Sequence, residues 1–112
     1  MRAYKNFIYN DFVDRAGSVR IPVYNPATEE LIAHVSAASV EEAKEAVDVA
    51  AAAQKGWRKL TSIQRGDYLR KLADALVSRK DAIGQALALE SGKALDEATS
   101  EAVYAADITR YH

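Results

Sequence analysis

The chain has 112 residues, a formal charge of −1 and no cysteine, which fits one small domain and excludes disulfides and thiol nucleophiles. Acidic and basic residues are interspersed, so neither a nucleic-acid-binding surface nor a disordered acidic tail is expected. Alanine supplies 22 residues, which favours closely packed helices over bulky cores. With no signal peptide and no segment fit to span a membrane, we expect a cytoplasmic protein.

The first 35 residues predict two β-hairpins. Residues 5–9 and 12–14 form the first, joined at Asn10-Asp11, because asparagine tolerates the positive φ of a two-residue turn. After a loose connection at residues 16–18, residues 19–24 and 31–35 form the second. Pro26 holds Asn25 in an extended conformation and ends the first strand of this hairpin. Hairpins of this size are marginally stable alone and need a packing partner.

A first helix is predicted to begin at Ser39, where a capping box with Glu42 would satisfy two backbone amides. Gly56 is expected to end this helix in the left-handed conformation. Trp57 is expected to be largely buried between the first two helices. The predicted packing face consists of Val40, Ala43, Val47, Ala50 and Ala53.

A second capping box, Thr61 with Gln64, predicts the start of a second helix. A restart at Asp81 continues the helical pattern, which Gly92 ends. The apolar stripe of this region comprises Leu69, Leu72, Ala73, Leu76, Ile83, Ala86 and Leu87, with Arg65, Arg70, Lys71 and Arg79 on the solvent side.

The last helix, from about Leu95 to Tyr111, carries apolar residues on more than one face, which is typical of a helix buried between neighbours. His112 follows it with neither a cap nor a glycine. We interpret this as the sign of a truncated chain.

Motifs that carry chemistry fail in this sequence one by one. Gly92-Lys93 resembles the end of a phosphate-binding loop, but Ala94 stands where serine or threonine is required and Leu87 where the first glycine should be. Ser91 lacks the flanking glycines of a nucleophile elbow. We therefore predict no catalytic and no cofactor-binding residue in this chain.

The histidines and carboxylates also favour structural interpretations. His34 and His112 stand at opposite ends of the sequence without ligand-type spacing, so no metal-binding residue is predicted. The acidic residues fall in the first turns of helices, where they complement the helix dipole. They are Glu41, Glu42, Glu45, Asp48, Asp96, Glu97 and Glu101.

Short motifs nevertheless follow one another along nearly the whole chain. They are Asn6-Phe7-Ile8, residues 22–33 (PVYNPATEELIA), Trp57-Arg58, residues 68–74 (YLRKLAD), residues 89–93 (LESGK), residues 105–107 (AAD) and Arg110-Tyr111. In this order they resemble the N-terminal part of the aldehyde dehydrogenase superfamily. Asn10 and Glu29 stand where that family usually has turn glycines, so both positions are expected to need positive φ.

The resemblance implies an α/β fold of which residues 1–112 form only the N-terminal part: two β-hairpins at about 5–35, then three to four α-helices at about 39–111. This part would belong to the coenzyme-binding domain. The full-length parent would use NAD or NADP to oxidise an aldehyde to a carboxylic acid through a cysteine, assisted by a glutamate and an asparagine. All three residues lie downstream of the matched region in the family, so this chain alone should be inactive and bind no cofactor.

Two further implications concern partners and ions. The chain is expected to form a homo-oligomer, with no nucleic-acid or membrane partner. Some members of the family hold a monovalent cation with backbone carbonyls just before the Asn-Pro turn, which would be those of Val23 and Tyr24. Two alternatives to an enzyme fragment stay open: a helical interaction module that docks through the last helix, and a free-standing structural domain without catalysis.

Overall fold

The computed structural model describes residues 2–14 and 19–112, and the connection predicted at residues 16–18 lies outside the described residues. The described elements are β1 (Arg2–Tyr4), β2 (Asn6–Ile8), β3 (Asp11–Val13), β4 (Arg20–Tyr24), β5 (Leu31–Ser36), α1 (Val40–Trp57), α2 (Ser62–Ser78), α3 (Lys80–Ser91) and α4 (Leu95–Tyr111). The chain divides into two units, Met1–Tyr24 with Glu29–Lys59 and Asn25–Thr28 with Leu60–His112. We call them the strand unit and the helical unit. The predicted α/β fold of two hairpins and up to four helices is confirmed.

The first hairpin pairs β2 with β3 in an antiparallel register in which Ile8 lies opposite Asp11. Its two-residue turn is therefore Tyr9-Asn10, one residue earlier than the predicted Asn10-Asp11. Both turn residues have positive φ, 52° at Tyr9 and 59° at Asn10. This is the geometry that a tight hairpin turn with the right-handed twist of its strands requires. The positive φ expected at Asn10 is confirmed.

The second hairpin pairs β4 with β5. It belongs to a sheet with a third strand, β1, that the sequence did not predict. The strand order is β1-β5-β4, and β1 runs parallel to β5 with Arg2 opposite Ala33. Pro22 lies in β4 opposite His34. Its position in an edge strand suits proline, which cannot donate to a second neighbour. Beyond the sheet, the φ of Glu29 is 62°, as expected.

Helix α1 begins as predicted but packs and ends differently. The Ser39 hydroxyl accepts the Glu42 amide at 3.1 Å, while the Glu42 carboxylate accepts from that hydroxyl at 3.4 Å instead of from the Ser39 amide. The predicted packing face is right only at Ala50 and Ala53, since Val40 and Val47 are exposed. The face that lines a depression against the first hairpin carries Ala46, Val49, Ala50 and Ala53. Consecutive alanines define no unique apolar stripe, which explains the error.

The end of α1 contradicts two further predictions. Helix α1 runs through Gly56 to Trp57, and Arg58 follows in right-handed conformation with φ of −65°. Gly56 therefore does not end the helix. Trp57 occupies the last position of the helix and is 40% exposed, so the prediction of a largely buried tryptophan is wrong.

The helical unit is held together by small residues. Helix α2 begins with the predicted reciprocal capping box between Thr61 and Gln64. Helix α4 packs on both α2 and α3. Its buried side consists of alanines, which allow a close approach between helices. The buried apolar residues in the described part of the chain are Ile8, Ala33, Ala73, Ala98, Ala102 and Ala106.

Gly84 of α3 lies very close to Thr99 of α4. A Cβ atom at Gly84 would lie 2.9 Å from the Thr99 Cα and 3.0 Å from its backbone nitrogen. Real Cβ atoms do not come so near to backbone atoms of another helix. Glycine is therefore required here by the contact itself.

Candidate functional site

The turn of residues 25–28 lies against the end of α3. This contact joins two of the motifs identified in the sequence, residues 22–33 and residues 89–93. The Asn25 side chain accepts the Ala27 amide at 2.9 Å and closes the turn over Pro26. Gly92 ends α3 as predicted, with φ of 76°. A Cβ at Gly92 would lie 3.0 Å from Pro26 Cγ. Glycine thus meets both the left-handed conformation and the close approach of the proline ring.

The polar residues beside Gly92 are engaged in local structural contacts. The Ser91 hydroxyl donates to the Leu87 carbonyl at 2.6 Å and accepts the Lys93 amide at 3.3 Å. The Lys93 ammonium forms an ion pair with Glu101 of α4. Ser91 therefore completes the end of α3, and Lys93 joins the loop to α4. The contacts given for the two residues within the described part of the chain are those of a helix end and an ion pair, and none of them is with a general base.

A shallow depression of about 400 Å³ opens beside this loop, along the first turns of α4. Its lining is mixed in charge and includes one aromatic ring. The lining residues are Lys93, Asp96, Glu97, Ser100, Glu101 and Tyr104. Asp96 and Glu97 lie in the first turn of α4, where a negative charge complements the helix dipole.

The metal-ligating residue types do not gather in the part of the chain that the structure describes. No group of three or more histidine, cysteine or acidic side chains suited to a metal ion occurs among those residues. Val23 and Tyr24, whose carbonyls the resemblance points to, lie where the pairing of β4 with β5 shifts register. Val23 is opposite Ala33 and Tyr24 is opposite Leu31, so Ile32 is an additional residue in β5. This β-bulge bends the strand next to the Asn-Pro turn.

Both histidines have ordinary surroundings. His34 lies in β5, opposite Ala3 on one side and Pro22 on the other. The His112 ring contacts the Tyr111 ring edge to face, with centroids 5.3 Å apart. These positions give no reason to assign a chemical role to either histidine.

None of the described helices is long and apolar enough to cross a membrane.

Taken together, the described residues form a scaffold in which turns and helix ends are fixed by short-range contacts. The model of the aldehyde dehydrogenase family matches residues 12–112, nearly the whole chain. The chain belongs to the aldehyde dehydrogenase family.

Individual members of the family are similar over almost all of this chain. The α-ketoglutaric semialdehyde dehydrogenase of Bacillus subtilis is 36% identical over 97% of the chain, which corresponds to 22% of that protein. The NADP-dependent glyceraldehyde-3-phosphate dehydrogenase of Streptococcus equinus is 36% identical over 98% of the chain and 23% of its own length. The chain thus spans about a fifth of the length of the curated relatives it matches.

The same likeness appears in three dimensions. The crystal structure of lactaldehyde dehydrogenase from Escherichia coli superposes with a TM-score of 0.94 at 33% identity. The match covers 98% of this chain and 23% of that one. The resemblance of the ordered motifs to the N-terminal part of an aldehyde dehydrogenase is therefore confirmed.

Sequence reasoning missed the two contacts that organise this region. Nothing in the pattern indicated that Gly84 faces the Thr99 backbone, because an isolated glycine in a helix gives no direction. The approach of Pro26 to Gly92 joins residues that are far apart in the sequence, so no local signal reveals it. Strand β1 was missed because three residues are too few to show alternation.

Proposed function

We propose that residues 1–112 form the N-terminal part of the coenzyme-binding domain of an NAD- or NADP-dependent aldehyde dehydrogenase. In the full-length parent, that enzyme oxidises an aldehyde to a carboxylic acid. The observation that carries the proposal is the match to the family over residues 12–112 by a chain that spans about a fifth of its relatives. The fold adds support, because its elements superpose on a solved aldehyde dehydrogenase.

The role of this part within the parent is structural. The chain contains no cysteine and therefore cannot supply the thiolate that the family uses as its nucleophile. Its polar residues near the helix ends serve in caps and ion pairs, as Ser91 and Lys93 do. We propose that the catalytic and cofactor-binding residues all belong to the parts of the longer enzyme that this chain does not include.

The finer properties of the parent follow from its relatives. One relative is NADP-dependent by name, which supports a nicotinamide cofactor and leaves both NAD and NADP open. The relatives named above act on different aldehydes, so we propose an aldehyde substrate without further choice. We also propose that the parent is a homo-oligomer. We place it in the cytoplasm, since a chain without cysteines gains nothing from an oxidising compartment.

A chimera with lactaldehyde dehydrogenase from Escherichia coli tests the proposal. Residues 12–112 replace the corresponding segment of that enzyme, and formation of the reduced nicotinamide cofactor, NADH or NADPH, is followed at saturating lactaldehyde. We expect the chimera to oxidise lactaldehyde, because the replaced elements have nearly the same backbone course. The enzyme with this segment deleted is the control and should be inactive. A folded chimera, with the same size as the unaltered enzyme and without any activity, would refute a structural role that is interchangeable within the family.

The alternative of an interaction module keeps one observation in its favour. Helix α4 has a second apolar face that stays exposed in this structure.

A further inference from the structure

We draw no further inference here: the strongest candidate, the exposed aromatic patch of Phe7, Tyr9 and Phe12 on the β2–β3 hairpin beside its depression against α1, carries no proposal, because nothing in the structure shows what covers it.

Discussion

Replacing Gly84 by alanine tests whether the contact between α3 and α4 holds the helical unit together. In a helix without neighbours, this substitution stabilises by about 1 kcal/mol, because glycine loses more backbone freedom on folding. At Gly84 the new methyl group would lie 2.9 Å from the Thr99 Cα, well inside the usual carbon–carbon contact of about 3.5–4.0 Å. The two helices must therefore move apart.

The magnitude follows from setting these two effects against each other. Adding a methylene to a tightly packed interior costs about 1–3 kcal/mol. Subtracting the gain in helix propensity of about 1 kcal/mol leaves a net loss of about 1 kcal/mol in the free energy of unfolding. Part of the loss should persist in a Thr99→Ala background, because the Thr99 Cα and backbone nitrogen remain as obstructing atoms after the hydroxyl is removed.

Urea unfolding followed by circular dichroism at 222 nm measures the effect at one fixed protein concentration. Gly66→Ala in α2 is the matched control, because its Cβ would meet only the tip of the Arg70 side chain, at 3.5 Å. We expect Gly66→Ala to raise the denaturation midpoint and Gly84→Ala to lower it. If both substitutions raise the midpoint equally, the close approach between α3 and α4 is not a constraint, and our explanation of Gly84 is wrong.

Four other outcomes can be checked with simple assays. Thr61→Ala removes the capping box of α2 and should cost about 1 kcal/mol in the same urea titration; an unchanged midpoint would show that the cap contributes nothing. Gly92→Ala should cost about 1–2 kcal/mol, because alanine is strained at φ of 76° and would also press on the Pro26 ring; a neutral result would mean that the turn yields freely. Asp74→Ala breaks an exposed 2.8 Å ion pair with Arg110 and should cost less than about 1 kcal/mol at low salt, decreasing further at high salt. NAD added to the chain should leave Trp57 fluorescence unchanged, and saturable quenching at micromolar NAD would contradict the structural role that we propose.

Local sequence signals predicted the boundaries of the helical unit well. The capping residues at Thr61 and the glycine after α3 act within one turn of the chain, so their effect can be read directly from the sequence. The start and end of α4 at Leu95 and Tyr111 were also as predicted. Turn chemistry predicted positive φ at Asn10 and Glu29, although the register of the hairpin was off by one residue.

Several of the failures concern tertiary contacts. The packing face of α1 was right only at Ala50 and Ala53, because alanine-rich helices offer several equivalent faces and the side that faces the β2–β3 hairpin cannot be read from the pattern. Trp57 was expected in a linker, but α1 continues through Gly56, since one glycine lowers helix propensity by only about 1 kcal/mol. The exposed residues Tyr104, Ile108 and Tyr111 of α4 were visible in the sequence as part of a second apolar face. Whether that face is covered depends on partners that a pattern within one chain does not contain.

The parallel pairing of β1 with β5 also sets an order of events during folding. Arg2 lies opposite Ala33, so β1 can join the sheet only when a loop of about thirty residues closes, and this closure costs entropy that a hairpin turn avoids. The β4–β5 hairpin and the helices rely on contacts between near neighbours and should form earlier. Strand β1 should accordingly be the last to join and the first to detach. Amide hydrogens of β1 should then exchange with solvent faster than the amide hydrogens in the hydrogen bonds between β4 and β5. An affinity tag fused before Met1 would therefore be attached to the least protected strand of the sheet.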